Sequence, residues 1–163
     1  MPVNTIHSYS SSSRYRGSAA ASLEALQREV FAQSYGDGEE YGTIEELYAD
    51  DEFMEEEGTH SILDVRRVVE STRPPRKFDE EDYFTVRPLA PARLLSHFGT
   101  DRPTVQQYED AMAQSYAFMD ARRRDDRDTS LLGEHEMRWT GLYVLLHTDD
   151  QPTHVGFFGS SGD

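Results

Sequence analysis

Six histidines and 31 carboxylates are the side chains here best able to bind metal or move protons, and cysteine is absent. His147 and His154 flank Asp149-Asp150-Gln151-Pro152, a turn sequence. A hairpin with that four-residue loop sets the two imidazoles opposite each other. Glu134, His135 and Glu136 lie just upstream. Two imidazoles and a carboxylate suit zinc or iron. The spacing matches no metal motif, however, and a cross-strand histidine pair also serves as a structural or mildly pH-sensitive contact. A small enzyme or metal-binding protein using the His147/His154 region is therefore the third reading of the chain, and no metal or other cofactor is expected.

Other chemistries find less. There is no G-x-S-x-G nucleophile elbow, no P-loop and no dinucleotide glycine pattern. A calcium loop starting at Asp37 would put Tyr41 and Tyr48 where oxygen ligands belong. Carboxylate pairs are too abundant for any one to be singled out as a glycosidase dyad. No catalytic residue is assigned, and the balance leans away from an enzyme.

Charge gives the strongest signal. Residues 37–57 hold eleven carboxylates and no basic residue, within a chain of net charge −15. The rest of the chain carries only −4. Lys77 is the one lysine among 16 basic residues, a bias of GC-rich genomes or of salt adaptation. Salt adaptation spreads acid over a whole surface, whereas here it is concentrated. The net charge predicts weak affinity for nucleic-acid phosphates and anionic membranes.

A helix over residues 44–57 must position these charges. Thr43 and Glu46 fit a capping box, and Glu45 and Glu46 suit the positive end of the helix. Ile44, Leu47, Tyr48 and Met54 fall on one side and dock the helix. Phe53 falls nearly opposite, among carboxylates, which is the layout of an interface with an aromatic anchor. The candidate partner-binding residues are Glu45, Glu46, Asp50, Phe53, Glu56 and Glu57. Asp51 lies in the docking stripe, so a break near Asp50-Asp51 is the competing expectation, and it would turn Phe53 inward.

The leading function is a non-enzymatic acidic module that docks a basic protein partner, as an inhibitor, immunity protein or nucleic-acid mimic does. Direct nucleic-acid and membrane binding are not expected. The alternative is a structural subunit of a virion or secretion assembly, which would use residues 1–21, a serine-rich arm. Absence of cysteine, an apolar run no longer than residues 142–146 and no signal-peptide layout point to the cytoplasm.

The remaining elements follow from periodicity. Helices are expected over residues 23–35, capped by Ser22, from Ser61 to Pro74, over 91–98 and over 104–122. In the segment from Ser61, β-branched residues leave a strand as the alternative. Val105, Tyr108, Met112, Tyr116 and Met119 form one stripe, and mixed charges over 122–128 should lie in solvent. Residues 83–87 read as a strand, and 137–147 with 153–158 as a C-terminal hairpin. The sum is an α+β domain over residues 22–158, several helices on a small antiparallel sheet, with a polar tail at 159–163.

Overall fold

Asp149 and Asp150 both adopt left-handed backbone conformations, with φ of 51° and 62°. That two-residue geometry matches the twist of a hairpin. It joins β4 (Thr140–Thr148) to β5 (Gln151–Ser161), the pair at the centre of the fold. The computed structural model describes residues 7–121, 127–135 and 137–161. The mixed-charge stretch expected in solvent falls mostly outside them, as do Met1 to Ile6.

Three more strands complete a five-stranded sheet of order β1-β5-β4-β3-β2. These are β1 (His7–Arg14), β2 (Arg67–Val68) and β3 (Thr85–Pro88). β1 is antiparallel to β5, while β2, β3 and β4 run parallel. The class is α+β, as expected, but the sheet is mixed rather than antiparallel throughout. The reason is connectivity: α4 (Pro91–Phe98) and α5 (Val105–Ala121) carry the chain from β3 back to the start of β4, as a parallel crossover requires.

The serine-rich segment is the largest departure. It is no free arm from residue 7 onward, because His7–Arg14 pairs with β5 along its full length. Backbone pairing satisfies its amides, and Tyr9 supplies the anchor that the serines lack. The Tyr9 ring is buried, and its hydroxyl donates to the Thr140 carbonyl at 3.4 Å. Gly159 to Ser161 likewise continue β5 rather than forming a tail.

Each face of the sheet is covered. On one, α1 (Ala19–Tyr35) packs Leu23 and Leu26 with Ile62, Val86, Tyr143 and Phe157. On the other, Tyr108 and Met112 of α5 meet Val144, Leu146 and Phe158. The predicted stripe of α5 is core there, although Tyr116 is exposed and bonds its hydroxyl to Ser10 Oγ at 2.9 Å. α1 starts earlier than expected. Ser18 is the cap, accepting from Ala21 N at 3.1 Å, and Ser22 sits buried within the first turn. The helix expected from Ser61 is one 3-10 turn, Ile62–Asp64, followed by β2. Val65, Val68 and Val69 explain it, since β-branched side chains prefer extended backbone. α4 begins with Pro91 and ends at Gly99, as predicted.

Candidate functional site

The acidic segment folds as two short helices, α2 (Ile44–Ala49) and α3 (Asp51–Glu56), with Asp50 as the joint. Asp50 leaves helical geometry at φ −84°, ψ 78°. Its Oδ1 accepts from Phe53 N at 3.1 Å, capping α3, and its Oδ2 accepts from the Tyr41 hydroxyl at 2.8 Å. The Tyr41 bond and the Phe53 amide hold the Asp50 carboxyl below its ordinary range. The same bond pushes the Tyr41 phenol up to about 12. Asp50 is therefore a structural joint rather than a presented charge. At the start of α2, Thr43 Oγ1 accepts from Glu46 N at 3.2 Å. Glu46 reaches back to Gly42 N at 2.7 Å rather than to the cap's own amide.

The break turns Phe53 inward, the competing expectation. It is half-buried against Tyr41, with ring centroids 6.3 Å apart, in a cluster with Ile44, Leu47, Met54 and Leu63. An aromatic anchor at Phe53, centred among carboxylates, is thus not presented. The fully exposed aromatic is Phe78, in the loop between β2 and β3.

What α2, α3 and the loop before them do present is charge. Asp37, Glu39, Glu40, Glu45, Glu46, Asp51, Glu52, Glu55, Glu56 and Glu57 are all exposed. Among the described residues, the one cation paired with this group is Arg28, 3.8 Å from Glu45 and shared with Glu24 at 3.3 Å. The candidates Glu45, Glu46, Glu56 and Glu57 are therefore exposed, while Asp50 and Phe53 are half-buried. Such a field reaches about 8 Å into physiological salt.

The histidines are not brought together. A two-residue turn and a β-bulge between Leu146 and His147 set His147 opposite Pro152 and His154 opposite Leu146. His154 Nδ1 contacts Thr153 Oγ1 at 3.0 Å and lines a surface pocket with Arg14, Glu29 and Glu109. Glu134 is elsewhere, 2.8 Å from both Arg93 Nε and His97 Nε2. Burial pushes the Glu134 carboxyl up, but those two partners outweigh it and hold it low. Among the described residues, no group of three or more His, Asp or Glu is placed to hold a metal ion. No helix among them is long and apolar enough to cross a membrane.

One constellation was not foreseen. Asp82, its side chain 5 % exposed, is the focus of three arginines. Arg73 grips it through Nη1 at 3.1 Å and Nη2 at 3.0 Å. Arg76 donates from its backbone at 2.8 Å and from Nε at 3.2 Å, and Arg87 donates from Nη2 at 2.9 Å. A 3-10 turn, Glu80–Asp82, aims the carboxylate, and Asp79 caps that turn by accepting from Glu81 N at 3.1 Å. The adjacency of basic residues 73–77 to Asp79–Asp82 was visible in the sequence. The further signal in the sequence is Arg87, a charge set within the apolar strand run Thr85-Val86-Arg87-Pro88-Leu89. An arginine in such a run must be buried with a partner.

Comparison with protein-family models, with curated proteins and with solved structures finds no match for this chain.

Proposed function

We propose that the chain is a non-enzymatic binding module whose acidic region, carried by α2 and α3, docks a basic protein. The observation behind it is the set of ten exposed carboxylates between Asp37 and Glu57, met by one arginine among the described residues. Folding gains little from gathering like charges, which repel at helical spacing. A partner with a basic face gains long-range attraction and faster encounter. Nucleases, nucleic-acid-binding proteins and basic toxins carry such faces, so an inhibitor, immunity protein or nucleic-acid mimic is the concrete form. The arrangement relies on breadth of charge, with Phe53 bracing it from below.

The assembly alternative has less behind it, because the segment that would reach a neighbour pairs with β5 from His7 to Arg14. The enzyme or metal alternative at His147 and His154 lacks the convergence it needs.

The test is affinity capture in low and high salt, comparing wild type with a variant in which Glu45, Glu52, Glu55, Glu56 and Glu57 become Gln. None of these side chains caps a helix in the structure, so the variant is expected to fold normally. Wild type should retain basic proteins at low salt and release them at high salt. Measured against a captured partner, the variant's association rate should fall by about tenfold or more. Retention of the same partners by both proteins at both salts would show the reading to be wrong.

A further inference from the structure

Arg87 lies in β3, paired with Leu142 of β4, on the face of the sheet covered by α4 and α5. It is 3 % exposed. Only Nη2 is engaged, with Asp82; Nε and Nη1 are buried without a hydrogen-bond partner among the described residues. A buried guanidinium with unused N–H donors is costly in a folded protein. Burial also pulls its basicity down.

The same residue walls a cavity of about 180 Å³, together with Arg73 and Arg93. The charges around it do not balance. Arg73, Arg76 and Arg87 share Asp82 and Asp79, so three guanidiniums meet two carboxylates. Glu134 is already held by Arg93 and His97. A positive excess is thus kept beside a half-open cavity in a chain of net charge −15. The remaining wall is largely apolar, including Pro75, Leu89 and Leu142.

We propose that this cavity binds a small amphipathic carboxylate, the Arg87 guanidinium turning its unused donors to the oxygens and Pro75, Leu89 and Leu142 taking the short apolar body. The volume is below the range of about 300–1,000 Å³ typical of sites for larger ligands, so it suits a ligand smaller than a nucleotide. Inorganic phosphate fits less well, because the apolar wall would leave some of its oxygens unpaired. The site lies on the sheet face opposite the one to which α1 packs. It does not depend on the acidic region, and either reading stands if the other fails.

The experiment is calorimetric titration of the full chain with pentanoate, acetate and inorganic phosphate at matched ionic strength and neutral pH. Pentanoate should bind saturably, one per chain, and at least about tenfold more tightly than acetate, because its extra methylenes become buried. Arg87→Met should weaken it at least about tenfold. That variant also disturbs Asp82, so a second reading uses the wild-type protein. On pentanoate saturation, the Arg87 Nε–H resonance should shift in a nitrogen-15 spectrum while that of exposed Arg28 stays fixed. Absence of saturable pentanoate binding, phosphate binding as tight as pentanoate, or an unmoved Arg87 resonance at saturation would each overturn the proposal.

Discussion

Asp82→Asn is expected to lower the melting temperature by on the order of 10 °C, the effect of breaking a buried ion pair in a domain of this size. The substitution keeps the shape of the side chain and removes its charge. Its new NH₂ group then faces donors from Arg73, Arg76 and Arg87 where an acceptor stood. Arg73 and Arg76 are exposed and can turn to water. Arg87, buried in β3, cannot, and it keeps its charge without a counter-ion. Adding Arg87→Met to Asp82→Asn should therefore recover at least half of the loss, since a buried pair replaced on both sides is nearly neutral. A single variant that melts within about 2 °C of wild type, where surface substitutions fall, would remove Asp82 from this role.

Acidity provides a second readout. Arg73 above all, with the Arg76 amide and side chain, holds the Asp82 carboxyl far below its ordinary value of 3.8, against the opposing effect of burial. A carboxyl depressed in the folded state stabilises the protein at every pH above its unfolded value. That contribution is lost as pH falls below about 4 toward the folded value. Wild type should therefore lose stability steeply on that limb, and Asp82→Asn should show a shallower one.

The parts of this fold that the sequence carries openly are those decided by a few neighbouring residues. Asp149-Asp150 makes a turn, Pro91 and Gly99 bound α4, and four of the five stripe residues of α5 (Val105, Tyr108, Met112 and Met119) join the core. Thr43 caps α2 through its own hydroxyl. Even the break in the acidic segment shows as Asp51 placed where an apolar residue belongs. What stays hidden depends on partners distant in the chain. β1 lacks the alternation of a strand, since Ser10 to Ser13 give no apolar face, and it forms because β5 offers an edge and Tyr9 a place to anchor. The mixed strand order depends on where α4 and α5 return the chain. His147 and His154 miss each other by one bulged residue, a shift that composition does not record. Phe53 reads as exposed only if the helix is straight. Once Asp50 ends the first helix, the same residue turns under its own carboxylates.

The two candidate surfaces use the sheet differently. Acidic α2 and α3 rest on Val30 and Phe31 of α1, with their apolar side chains beneath them and their charges outward. The arginines sit on the other face around a carboxylate and a cavity. Opposite charges placed that way are kept apart by the sheet and the helices packed on it. A chain that folded its arginines against its own acidic helices would have cancelled both fields. Here Arg28 alone, among the described residues, bridges to the acidic group.

The other large effect is expected where α5 crosses β5. A Cβ built on Gly156 would stand 2.5 Å from Cζ of Tyr108 and 2.6 Å from its Cε2, far inside van der Waals contact. The ring cannot swing away. Its single hydroxyl proton is shared between the Phe157 carbonyl at 3.1 Å and the Ser11 carbonyl at 3.3 Å, and the ring packs on Phe158 at 6.4 Å between centroids. Gly156→Val is therefore expected to destabilise the fold by about 3 kcal/mol, the upper end for overpacking. Tyr108→Ala, which empties the same space, should cost about 3–5 kcal/mol. Together the two should cost less than their sum by about 1–3 kcal/mol, because the valine then occupies room the tyrosine has left. Strict additivity in denaturant titrations would mean that the glycine and the ring are not coupled. Because Tyr108 also holds Ser11, Tyr108→Phe should speed amide exchange in β1 with little change in the core strands. That outcome would identify a helix tyrosine, far away in the chain, as what keeps a strand of serines in the sheet.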